Sequence, residues 1–297
     1  MIALSTVGFR TAAFLPGQTA IPAYPDGLGK EDLDGATATV ADATRDGGVI
    51  VVVVPSWAPE PACRRLETIR CALDTKQLVI HRVDLPPLAG SVFVALADGL
   101  RQHVDTPGRL IGALPALAQQ VVTLARLTRL SGLRDPSPSI WQHLGSLLPG
   151  TAYGVSSFPE PSVRRLKKKK APLPPLPQLR TSTGMGLAVA VHGGGTTDWA
   201  YDQLVPALGH PPVTEVPSAA LAPEWWGPGP GVEAVLYPTD IARTAQVVAS
   251  GVLLRRCGSC GLDSPSDVCP YCLVHEPRPL DEEDREDADG RTAASSR

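Results

Sequence analysis

The residues in this chain best suited to chemistry are four cysteines near its C-terminal end, Cys257, Cys260, Cys269 and Cys272. They form two Cys-x-x-Cys pairs with eight residues between them. The turn inside such a pair lets both sulfurs face one side of a tight knuckle. Two facing knuckles make a tetrahedral thiolate cage, which suits Zn2+. Gly258 and Gly261 allow the backbone conformations that such turns need, and Pro270 stiffens the second turn. The other chemistries open to these thiols are two disulfides, four free thiols or a redox pair. Two pairs this close, in a chain with only six cysteines, favour a metal. A site closed by four thiolates keeps no position for water, so the expected cofactor is a structural Zn2+.

The run Val252-Leu253-Leu254-Arg255-Arg256 reads as a strand feeding the first knuckle. Over residues 252–276 the chain resembles a short zinc ribbon, with Cys-Gly-Ser-Cys-Gly as first knuckle and Cys-Pro-Tyr-Cys as second. It departs from the commonest ribbon pattern in its short inter-knuckle loop. It also departs at Leu273, which stands where a glycine usually follows the last cysteine. The resemblance implies a small surface for contact with a protein or a nucleic acid.

A second candidate is the turn His192-Gly193-Gly194-Gly195 after the apolar run Gly186 to Val191. With Trp199 and Leu204 to Leu208 it looks like the oxyanion loop of an α/β-hydrolase, where glycines let backbone amides face a developing oxyanion. The Gly-x-Ser-x-Gly that should follow is absent from the chain. The same turn can also be read as a cradle for an anion or nucleotide at a helix N-terminus, or as a strand-to-helix turn with no chemistry. His192, Gly193, Gly194 and Gly195 are therefore candidate ligand-binding residues. In an enzyme reading, Ser56, His192 and Asp198 would line one cleft beyond the carboxyl ends of the strands.

A third candidate is the basic run Arg164, Arg165, Lys167, Lys168, Lys169 and Lys170, followed by Pro172-Leu173-Pro174-Pro175-Leu176-Pro177. The prolines favour an extended, semi-rigid spacer. The charges read as a solvated linker, as a contact for nucleic acid or an acidic partner, or as a mate for the acidic C-terminal segment.

The elements that must position these residues follow from periodicity and punctuation. Residues 49–54 are aliphatic and β-branched without alternation, which marks a strand covered on both faces, as in a parallel sheet. Helices are expected over 30–44, 61–73, 89–104, 109–130, 139–148, 199–208 and 241–250, and strands over 2–9, 78–83, 151–158, 186–191, 213–216 and 232–237. The 109–130 helix rests on Leu110, Leu114, Leu117, Val121 and Leu124, which alternate four and three apart. The chain has 297 residues, 43% hydrophobic and 19% charged, with net charge −3. This gives ample material for a core and excludes a chain-wide electrostatic nucleic-acid binder.

The expected fold is α/β, with two lobes of mostly parallel strands and flanking helices, plus a small C-terminal zinc ribbon. The expected divisions are an N-terminal domain with a helical insertion (1–162), a basic and proline-rich linker (163–183), a second α/β lobe (184–251), the ribbon (252–276) and an acidic disordered tail (277–297). No membrane span and no signal peptide are expected, and the expected compartment is the cytoplasm. Together these features suggest a non-catalytic, zinc-binding docking or scaffold protein within a larger assembly. It would contact a protein partner or nucleic acid through the ribbon and basic linker. The alternative is a hydrolase-like or anion- or nucleotide-binding enzyme using the glycine turn.

Overall fold

The computed structural model describes residues 1–276 apart from 8, 10–11, 13, 16–17, 19–22, 25–32, 59 and 167–183. Lys167 to Lys170, the proline run and the acidic tail therefore lie outside the described residues.

The first sheet is parallel throughout, in the order β2-β1-β3-β4. Its strands are β1 (Ile2–Val7), β2 (Ala23–Tyr24), β3 (Val49–Pro55) and β4 (Leu78–Val83). All seven residues of β3 are buried, as its unbroken apolar run requires. Alternate side chains face opposite ways. Ile50, Val52 and Val54 pack with Val40 of α1 (Leu33–Thr44) and with Leu66 and Ile69 of α2 (Glu60–Ala72). Val51 and Val53 point to the other face and join the main core.

That other face is covered by α3 (Pro87–Leu100), of whose 14 residues 13 are buried. A helix without a polar face must be surrounded. α3 touches β1 of the first sheet and also β8 (Met185–His192) and β10 (Gly231–Pro238) of the second. It is thus the layer between the two sheets. Pro87 begins it, where its missing amide costs nothing.

The helix expected over 109–130 is two elements. α4 (Pro107–Ala118), capped by Thr106, stops at the glutamine pair 119–120, and β5 (Val122–Leu127) follows. The heptad-like spacing persists through Leu124, but Val121-Val122-Thr123 is a β-branched run that prefers a pleated strand. Its side chains then alternate: Val122 and Leu124 enter one core, Ala125 and Leu127 the other.

β5 opens the second sheet, whose order is β7-β6-β5-β10-β8-β9. After α5 (Ile140–Ser146) come β6 (Tyr153–Phe158) and β7 (Ser162–Arg165). Beyond β8 a π-helical turn over Ala200–Leu204 runs into α6 (Val205–Ala207), followed by β9 (Val213–Glu215), α7 (Ala222–Trp226), β10 and α8 (Ile241–Ala249). Only β8 and β9 pair in parallel; the other pairs of this sheet are antiparallel. The class is α/β, with a parallel first sheet and a mixed second one. The expected boundary at 163–183 falls inside the second sheet, since β5 from one side of it pairs with β10 from the other. An apolar run announces a buried strand but not its neighbour or direction.

The described residues end with the hairpin of β11 (Arg255–Arg256) and β12 (Asp263–Ser264) and a bridge from Val268 to His275. Among the described residues, no helix is long and apolar enough to cross a membrane.

Candidate functional site

The four cysteines converge. Their sulfurs all lie within 4.8 Å of one another, with Cys257 to Cys272 and Cys260 to Cys269 at 3.6 Å. A disulfide would bring sulfurs to about 2.05 Å. A tetrahedron of thiolates about 2.3 Å from Zn2+ has edges of about 3.8 Å, so the cluster fits that ion. Each knuckle closes on a backbone bond, Gly261 N to Cys257 O and Leu273 N to Cys269 O, both 2.8 Å. The residue after each knuckle turns left-handed, Gly261 at φ 72° and Leu273 at φ 59°. Leu273 thus adopts the conformation that the usual glycine serves, at a cost of about 1 kcal/mol or more. The Glu276 carboxylate accepts from Gly258 N at 3.0 Å and Ser259 N at 3.1 Å, which ties the end of the ribbon over its first knuckle. These amide bonds hold Glu276 below the usual carboxylate range.

The ribbon is not a free module. Cys257, Cys269 and Tyr271 are buried in the main core. On α4, a Cβ at Gly108 would lie 2.3 Å from the carbonyl oxygen of Asp263. Only glycine lets β12 approach so closely.

In the glycine turn after β8, Gly193 and Gly195 are likewise committed to packing, whereas Gly194 faces open space. A Cβ at Gly193 would meet Gly229 O at 2.4 Å, and one at Gly195 would meet Gly231 O at 2.3 Å. Gly195 N donates to His192 O. His192 is buried, its Nε2 has no hydrogen-bond partner, and burial lowers its pKa to about 4. Ser56 Oγ donates to Asp84 at 2.7 Å, and Thr196 Oγ1 donates to Asp198 at 2.9 Å. No hydrogen bond joins any two of Ser56, His192 and Asp198 among the described residues. Arg164 and Arg165 stand exposed on the edge strand β7.

A different site lies where α3 begins between the sheets. Phe14 and Gln18, which follow β1 in the chain, reach this helix and β10. Phe14 packs edge-on to Tyr237 with ring centroids 6.0 Å apart, and Gln18 Nε2 donates to Ala95 O at 2.9 Å. Between these residues, α3 and the stretch after β9 runs a narrow crevice lined by Ala12, Phe14, Leu88, Ser91, Val216, Pro217 and Ala219. Its free volume is about 10 Å³.

Behind this wall sits Glu233, on β10 and only 2% exposed. Its Oε1 accepts from the first amides of α3, Leu88 N at 3.1 Å and Ala89 N at 3.3 Å. Its Oε2 accepts from Trp226 Nε1 at 2.8 Å. Burial outweighs these donors and raises its pKa to about 7. Trp226 continues into an aromatic cluster with Trp225, Trp57 and Phe9. Neither Glu233 nor the crevice residues stand out in the sequence as a site. The available signals were an acid inside the apolar run Val232 to Tyr237 and a helix with no polar face.

No protein-family model matches the chain, and no curated protein matches it. Solved structures do. The fold is similar to that of a DegV family protein from Eubacterium eligens loaded with heptadecanoic acid, at TM-score 0.53 and 12% identity, covering 80% of this chain and 100% of that one. A DegV family protein from Corynebacterium glutamicum gives TM-score 0.52 and 12% identity, covering 80% and 97%. A fatty acid binding DegV family protein from Thermus thermophilus gives 0.52 and 13%, covering 80% and 99%. The architecture is therefore the DegV-like α/β fold.

This corrects the expected function. A docking scaffold addressed to a protein partner or nucleic acid does not describe a body whose fold is that of proteins holding a fatty acid. The ribbon expected to present a recognition surface is packed against α4 instead. The alternative is not supported either: Gly193 and Gly195 are packed against residues 229–231, and Ser56, His192 and Asp198 share no hydrogen bond among the described residues.

Proposed function

We propose that the protein binds one long-chain acyl ligand in the crevice between its two sheets. The observation that carries the reading is where the apolar crevice lies. It opens beside the first turn of the central helix, between the two sheets, in a fold whose neighbours from Eubacterium eligens and Thermus thermophilus are described with fatty acid. Sites for small molecules span about 300–1,000 Å³. Loading must therefore part Phe14 from the Val216–Pro217 wall, and the helix and sheets behind them stay fixed.

The test is a titration of the delipidated full chain with the neutral fluorophore N-phenyl-1-naphthylamine. Wild type is expected to bind one equivalent saturably. Val216→Trp, on a half-buried wall residue, is expected to weaken binding about tenfold with its Tm unchanged. Non-saturable binding by wild type, or unaltered binding by the variant, contradicts the reading.

We also propose that Cys257, Cys260, Cys269 and Cys272 hold one structural Zn2+. Four sulfurs at tetrahedral spacing support this, and a site filled by four thiolates offers no position for substrate or water.

A further inference from the structure

The helix start beside the crevice is held by a carboxylate that belongs to the protein. Leu88 lines the crevice, and its amide is one of the two held by Glu233. The start of a helix is where an incoming anion would ordinarily find unpaired amides. Here the donors are spent. Leu88 N and Ala89 N go to Glu233, and Gly90 N goes to Pro86 O. Across the crevice, Phe14 N donates to Gln18 and Val216 N to Val189 O. Ser91 Oγ donates to Pro87 O at 2.9 Å, which leaves that hydroxyl only lone pairs to offer. The other lining side chains, from Ala12, Phe14, Leu88, Val216, Pro217 and Ala219, carry no donor. An ionised head brought here would lose its water, find no side-chain donor and stand beside the helix start that already holds a carboxylate.

Resting on the acyl-binding reading above, we infer that Glu233 sets the head-group specificity of the crevice: it selects acyl ligands whose buried end is uncharged, such as an alcohol, ester or amide, over free fatty acids. The hydroxyl of an alcohol or the N–H of an amide can donate to the lone pairs of Ser91, and an ester can lie against Leu88 without a compensating cation. Discrimination of this kind works by exclusion, through the penalty placed on the wrong ligand.

The experiment displaces N-phenyl-1-naphthylamine from the delipidated full chain at pH 8 with 1-hexadecanol, methyl palmitate or palmitate, each below its aggregation limit. The neutral compounds are expected to displace the probe at concentrations at least about tenfold lower than palmitate. In Glu233→Gln, which keeps the side-chain shape and removes the charge, that gap is expected to shrink several-fold. Equal displacement by palmitate and the neutral analogues in wild type overturns this inference and leaves the acyl-binding reading standing. Absence of saturable probe binding overturns both. The wild-type comparison holds even if Glu233→Gln does not fold.

Discussion

At the scale of single residues, Glu233 is the most informative position. It is a lone acid in a strand whose eight residues are all buried. Its oxygens are satisfied by two helix amides and an indole, yet no cation stands beside it in the described structure. Burial raises its pKa from the ordinary 4.5 to about 7. The folded state therefore holds a proton that the unfolded chain releases, and this contribution to stability is full below about pH 4.5 and lost as pH rises through about 7. Denaturant unfolding of wild type and Glu233→Gln at several pH values isolates the effect. The stability of wild type relative to the variant is expected to fall by about 3 kcal/mol between pH 4.5 and 8. A difference independent of pH would mean that Glu233 titrates as it does in the unfolded chain. The acid itself was legible in the sequence as an anomaly. Its partners were not, because Leu88 and Ala89 lie about 145 residues away.

At the scale of elements, the sequence was most legible where a single pattern decides. β3, α2, β4, β6, β8 and β10 fall within a few residues of where periodicity put them. It failed at 109–130, where one apolar spacing served a helix and then a strand, and the β-branched run at 121–123 was the deciding clue. The cysteine pairs were fully legible, because spacing alone fixes the knuckles. What spacing could not give was the surface on which the ribbon sits. Since β12 is pressed onto Gly108 of α4, loss of the ion is expected to loosen more than the ribbon. Metal analysis of protein prepared under reducing conditions is expected to give one zinc per chain. Chelation is expected to lower Tm by about 5 °C or more, consistent with linkage of a few kcal/mol. A metal-free preparation with the same Tm would remove the structural ion from the account.

At the scale of the whole molecule, the architecture is a sequence of layers: helices α1 and α2, a parallel sheet, the buried helix α3, a mixed sheet, and the helical turn at 200–207. The sequence conveyed the α/β class because strands apolar on both faces demand cover on both faces. It did not convey that strands on either side of 163–183 share a sheet, since pairing between distant strands is a property of topology and not of local pattern. Nor did it reveal the crevice, whose walls come from three stretches far apart in the chain. With its most visible motif at one end, the chain reads as a metal-dependent docking protein, and its two-sheet body corrects that reading.

The acyl-binding account is tested most directly by native mass spectrometry of the full chain incubated with a small excess of 1-hexadecanol or palmitate. The account predicts one bound ligand per chain, with hexadecanol retained more strongly and Val216→Trp left bare. A spectrum of unliganded protein alone with both compounds, or several equivalents attached without saturation, would contradict it.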